Sequence, residues 1–117
     1  MKQFDIIQLY TKLDELASVK GFSNSNQWDI YKLRKELRKH VDFQQERENA
    51  IIEKYTPYAD DKGMIYGEHY ENYQKDINDL NNIDVDLKIE KIKLPLVDGI
   101  NFKTIENLED FIEFYLE

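Results

Sequence analysis

The side chains able to do chemistry are few in kind. The 117-residue chain holds two histidines, His40 and His69, three serines and no cysteine. Without a thiol there is no cysteine nucleophile, no iron–sulfur cluster, no thiolate zinc site and no disulfide scaffold. Glu36 stands one helical turn before His40, and Glu68 and Glu71 flank His69. These are half-sites of the kind metals use, but no helix places two imidazoles on one face. Ser18, Ser23 and Ser25 lie outside any Gly-x-Ser-x-Gly elbow. The glycines at 21, 63, 67 and 99 form neither a dinucleotide loop nor a P-loop. Asp60-Asp61-Lys62-Gly63 lacks the alternating aspartates of a calcium loop. Carboxylates are plentiful, yet no spacing selects an acid–base pair. The expectation is a chain without catalytic residues, metal, cofactor or small-molecule substrate, and so not an enzyme.

What remains is surface chemistry. Lys32, Arg34, Lys35, Arg38 and Lys39 form a basic run within an acidic chain of net charge -8 and pI near 4.8. Residues 32–47 carry six basic and three acidic side chains, whereas 48–117 carry seven basic and seventeen acidic. The overall acidity argues against a general nucleic-acid binder. The run reads either as a patch for an anionic partner or as a solvated helix face laced by Glu36 and Asp42. The second is the expected reading.

Five tyrosines, Tyr55, Tyr58, Tyr66, Tyr70 and Tyr73, fall within nineteen residues. A large apolar ring with a polar tip suits an interface. The alternative is that they pack the end of a long helix. The last segment presents Glu106, Glu109, Asp110, Glu113 and Glu117, a row of carboxylates that could imitate DNA phosphates or serve as the polar face of a helix.

These side chains need elements to hold them. Ile6, Leu9, Leu13 and Leu16 predict an amphipathic helix over 4–20, stopped at Gly21. Ser25 or Asn26 caps the next helix, from about 26 to 56, which ends at Pro57. Ile30, Leu33, Leu37 and Val41 make its first stripe; Ile51, Ile52 and Tyr55 make its second. Gln44, Gln45 and Glu48 occupy the inward positions between. Such a polar break predicts that the helix leaves one packing partner before it meets another, and its exposed middle is a candidate oligomer seam. Met64–Gly67 reads as a short strand and 68–81 as a third helix. Val85, Leu87 and Ile89 alternate with charged residues, and the parity flips after Glu90-Lys91, as a β-bulge would do. Pro95 favours an edge strand. Asp98-Gly99 predicts a hairpin turn, and Thr104 caps a final helix over 105–116.

The expected fold is α+β and mainly helical, in a single domain, 1–117. It comprises an antiparallel αα-hairpin with one long helix, a short β-hairpin at about 84–102 and a C-terminal helix. No run of apolar residues approaches the ~20 needed for a membrane span, and the first residues show no signal-peptide core.

The long helix ending Ile-Ile-Glu-Lys-Tyr, the Asp-rich turn, the tyrosine helix, the strand Val-Asp-Leu-Lys-Ile-Glu-Lys-Ile-Lys-Leu and the acidic end form a recognisable order over 26–116. It resembles a family of short proteins of unassigned function from phages and prophages of low-GC Gram-positive bacteria. A lysine-rich, alanine-poor composition agrees with an AT-rich source. The resemblance implies a non-catalytic accessory protein with a structural or assembly role, in the host cytoplasm or on the virion. Its partner would be another protein or a second copy of itself, rather than a membrane or nucleic acid. The alternative is an acidic inhibitor of a host nucleic-acid-binding protein. The candidate contact residues are Lys32, Lys35, Arg38, Lys39, Gln44, Gln45, Tyr55, Tyr58, Tyr66, Tyr70 and Tyr73.

Overall fold

A computed structural model describes residues 1–116. Helix α1 spans Gln3–Ala17 and buries Ile6, Leu9, Leu13 and Leu16, the stripe its spacing predicts. Gly21, at φ +109°, turns the chain back. Helix α2 then runs Asn24–Tyr55, 32 residues and so about 48 Å long. Its cap is Ser23 rather than Ser25 or Asn26. The Ser23 hydroxyl accepts from the Asn26 N–H at 3.1 Å, while the Asn26 side chain accepts from the Ser23 N–H at 3.1 Å. That reciprocal pair satisfies two otherwise orphaned donors, so the helix starts two residues early.

The first two helices form the expected antiparallel hairpin. Asp14 receives the Arg34 guanidinium, and Gln3, further back on α1, donates to the carbonyl of His40, further on along α2. Helix α3, Gly67–Asn81, also runs antiparallel to α2, covering its second half: Tyr55 reaches Asp76 and Gln44 reaches Asn81. Thus α1 and α3 lie end to end along one spine. They meet where the Gln3 N–H donates to the Ile83 carbonyl at 2.9 Å and Lys2 pairs with Asp84 at 2.9 Å. The extents of 57 × 29 × 21 Å follow from the length of α2.

Apolar burial divides accordingly. A larger core joins the α1 stripe to Ile30, Leu33 and Leu37 of α2 and to Leu94, Leu108, Phe111 and Ile112. A smaller one holds Ile51, Tyr55 and Leu80, with Ile65, Tyr73 and Ile77 beside them.

The architecture is α+β and mainly helical, but its β part differs from the expected hairpin. Val85, Leu87 and Ile89 do alternate in burial and pack on the larger core, yet 85–91 belongs to no ladder. Only an isolated antiparallel bridge links Asp84 to Lys2. The ladder starts at Ile92, so the parity flip marks the passage from an unpaired extended segment into strand β1, Ile92–Pro95, and is not a bulge. Asp98-Gly99 is a turn but closes no hairpin. The chain passes through a short helix α4, Phe102–Leu108, and returns as β2, Ile112–Tyr115, parallel to β1 with Ile92 opposite Ile112. A parallel pair requires such a crossover, and residues 96–111 supply it.

The final helix therefore ends at Leu108 rather than 116. Ile112, Phe114 and their neighbours fit a helical stripe and a strand alternation equally. Pairing with β1 and a β-branched, aromatic composition decide for the strand. Asn101 caps α4 by accepting from the Lys103 N–H at 2.9 Å, while Thr104 is buried with its hydroxyl toward Glu15. Met64–Tyr66, expected as a strand, is irregular.

Candidate interaction surfaces

On the first half of α2 the basic run is largely spent inside the molecule. Lys32 pairs with Asp29 at 3.5 Å, Lys39 with Glu36 at 3.2 Å, and Arg34 with Asp14 while lying over the Tyr10 ring. Among the described residues Lys35 and Arg38 have no ionic partner. Glu36 laces the face as expected, but Asp14 and Asp29 do so in place of Asp42. Exposed ion pairs of this kind contribute little to stability, yet they lower the field available to an outside anion. Beside them stand Trp28 and Tyr31, 58 and 50% exposed and stacked at 5.5 Å. Neither belongs to the apolar stripe of Ile30, Leu33 and Leu37, which is the sequence signal that places both rings outside the core.

Gln44 corrects an expectation. It is 4% exposed and is not an open seam. It fills the point where α1 gives way to α3, its amide donating to Glu48 at 2.9 Å and Asn81 at 2.8 Å. Its Oε1 is buried without a hydrogen-bond partner among the described residues. The polar break thus does mark a change of partner, but it faces inward. Gln45, the next residue, is exposed. Nearby, burial and then the Lys39 ammonium push His40 below the usual histidine range, against Glu36.

The tyrosines separate into two sets. Tyr55 is buried, donates to Asp76 at 2.7 Å and receives the edge of Tyr73. Lys54 also reaches Asp76, at 3.0 Å. The two donors hold the Asp76 carboxyl below its usual range, and the same hydrogen bond raises Tyr55. Tyr58, Tyr66 and Tyr70 are exposed, each oriented by a neighbour. Tyr58 stacks on His69 at 3.8 Å, Tyr66 donates to Asp60 at 3.1 Å, and Tyr70 accepts from Gln74 at 2.9 Å. Asp60 in turn accepts from the N–H groups of Met64 and Lys62, which hold its carboxyl low and fix the loop.

Between this loop and the two helices lies an apolar groove of about 400 Å³, lined among others by Ile52, Thr56, Ala59, Met64, Tyr70 and Tyr73. Ile52, Met64 and Tyr70 are each about half exposed. Residues 48–84 surround it with nine acidic and three basic side chains.

The other candidates do not converge. His40 belongs to the α1–α2 end and His69 stacks at the far end of α2. Among the described residues no three His, Asp or Glu side chains gather as a metal requires. The carboxylate row is broken: Glu106 is on α4, Glu109 and Asp110 are in a turn and Glu113 is on β2. Glu117 lies outside the described residues. No described helix is long and apolar enough to cross a membrane. In comparisons with known proteins the chain matches no family model, no curated protein and no solved structure.

Proposed function

We propose that the protein is a non-catalytic accessory protein of phage type that acts by protein–protein contact, and that the α2–α3 end is its docking face. The observation that carries this reading is the groove itself. Half-exposed Ile52, Met64 and Tyr70 surround it; Gln74 donates to the Tyr70 hydroxyl, and Tyr73 packs edge-on against Tyr55, so both lining tyrosines are held in place. Rigid aromatic side chains with a polar tip lose little entropy on binding, which is why they serve as anchors. The excess of carboxylates around the groove favours a basic, amphipathic segment of the partner, laid with its apolar face inward. The phage setting, in host cytoplasm or virion, rests on the sequence resemblance. A DNA-mimicking inhibitor is less favoured, because its carboxylates would have to form a continuous row.

The test is an NMR titration with a synthetic amphipathic peptide of about 18 residues, lysine-rich on its polar face, against an acidic peptide with the same apolar face. The basic peptide should shift amides of Ile52, Thr56, Met64, Tyr70 and Tyr73 saturably, and the acidic one should not. Shifts centred on Trp28–Lys39, equal response to both peptides, or no response to either would refute the reading.

A further inference from the structure

The two-stranded sheet has two edges, and they are not equivalent. The Ile92 N–H donates to the Phe111 carbonyl at 3.0 Å, and the Leu96 N–H to the Tyr115 carbonyl at 2.7 Å. Even-numbered residues of β1 therefore face β2, and odd-numbered residues of β2 face β1. The outer edge of β1 is formed by Lys93 and Pro95, a charge and a residue without an N–H, the usual devices that keep an edge from pairing. The outer edge of β2 has neither. There Ile112, Phe114 and Leu116 turn their backbone donors and acceptors away from β1, and no described strand pairs with them. Their side chains run from buried Ile112 through half-buried Phe114 to Leu116, 82% exposed. An unprotected edge of this kind is a ready template for pairing with another strand.

We infer that this edge pairs with a second copy of the chain, β2 against β2, antiparallel about a two-fold axis at Phe114. A two-fold centre on Glu113 would set that carboxylate against its own copy, whereas one on Phe114 avoids any such pairing of like charges. Centred on Phe114, the register sets Phe114 against its own copy, Ile112 against Leu116 and Glu113 against Tyr115. Apolar side chains then meet across the joint, and no two like charges stand opposite each other. The result is a continuous four-stranded sheet, β1-β2-β2-β1, that covers Leu116 and satisfies the orphaned edge. The contact uses a different element from the docking groove, and either can fail without the other.

The chain contains no cysteine, so one introduced thiol reports on the joint alone. Residues at a hydrogen-bonded antiparallel pair have Cα atoms about 5.5 Å apart, within disulfide reach. Phe114→Cys should form a disulfide-linked dimer on mild oxidation, and Glu113→Cys should form it far more slowly. Sedimentation of the unaltered chain should show a monomer–dimer equilibrium below about 100 µM, weakened at least tenfold by Leu116→Pro, which deletes an edge N–H without touching the core. The unaltered-chain measurement stands even if Phe114→Cys folds poorly. A strict monomer at that concentration, a dimer indifferent to Leu116→Pro, or equal cross-linking at 113 and 114 would overturn the inference.

Discussion

Leu80→Ala tests the division of the molecule into two cores carried on one helix. Leu80 is 5% exposed and, with Ile51 and Tyr55, makes up all of the fully buried part of the smaller cluster. Leucine truncation in a core costs about 2–5 kcal/mol. An open cleft of about 370 Å³ beside Leu80 and Ile51 lets neighbours relax and water enter, which places the cost near the lower end, about 2–3 kcal/mol. Native-state hydrogen exchange should show amides of 67–81 losing protection by about 30- to 150-fold, since 1.4 kcal/mol is tenfold. Amides of α1 and of Ile30–Leu37 should change little. Leu37→Ala, in the larger core, should lower protection everywhere. Equal loss in α1 and α3 after Leu80→Ala would refute the two-core description.

Two further outcomes follow from local chemistry. Asp76 has its folded pKa held below 3.8, so between the folded and unfolded values the folded chain binds fewer protons. Its contribution is complete above 3.8 and is lost as pH falls through the folded value. Acid should thus loosen the α2–α3 end, followed through tyrosine fluorescence, and Asp76→Asn should flatten that decline at the cost of stability near neutrality. Gly21→Ala should destabilise the chain by about 1–3 kcal/mol, read as a lower denaturant midpoint, because a Cβ at φ +109° is strained and would sit against Val97 at 3.4 Å. Gly63→Ala, at φ +78° with open space around it, should cost only the backbone strain and so less.

The helical frame was legible because each helix buries one periodic stripe, and period 3.6 survives in sequence. The polar break at Gln44 correctly announced a change of packing partner. Its direction was not legible, since whether a glutamine points inward depends on where α1 stops and α3 starts, a matter of tertiary geometry. The β region failed for a related reason. Val85 to Ile89 alternates because one side rests on helices, and alternation reports burial without reporting pairing. Phe111–Tyr115 satisfies helical and extended patterns at once, so only the presence of β1 decides. Of the candidate contacts, Tyr58, Tyr66 and Tyr70 do lie exposed together. Tyr55 and Tyr73 turn out to pack the helix end, as the alternative reading of the tyrosines has it. The groove needed Met64 and Ala59 from a loop whose course is set by Asp60, and no spacing rule reveals that.

The central claim is that partners dock on the α2–α3 groove and not on the basic half of α2. Calorimetric titration of the basic amphipathic peptide into two double variants tests it most directly. The reading predicts that Ile52→Glu with Tyr70→Glu weakens binding by at least about tenfold, the scale of a lost anchor, while Lys35→Glu with Arg38→Glu stays within about twofold. The reverse pattern, with the groove variant unaffected, would contradict it.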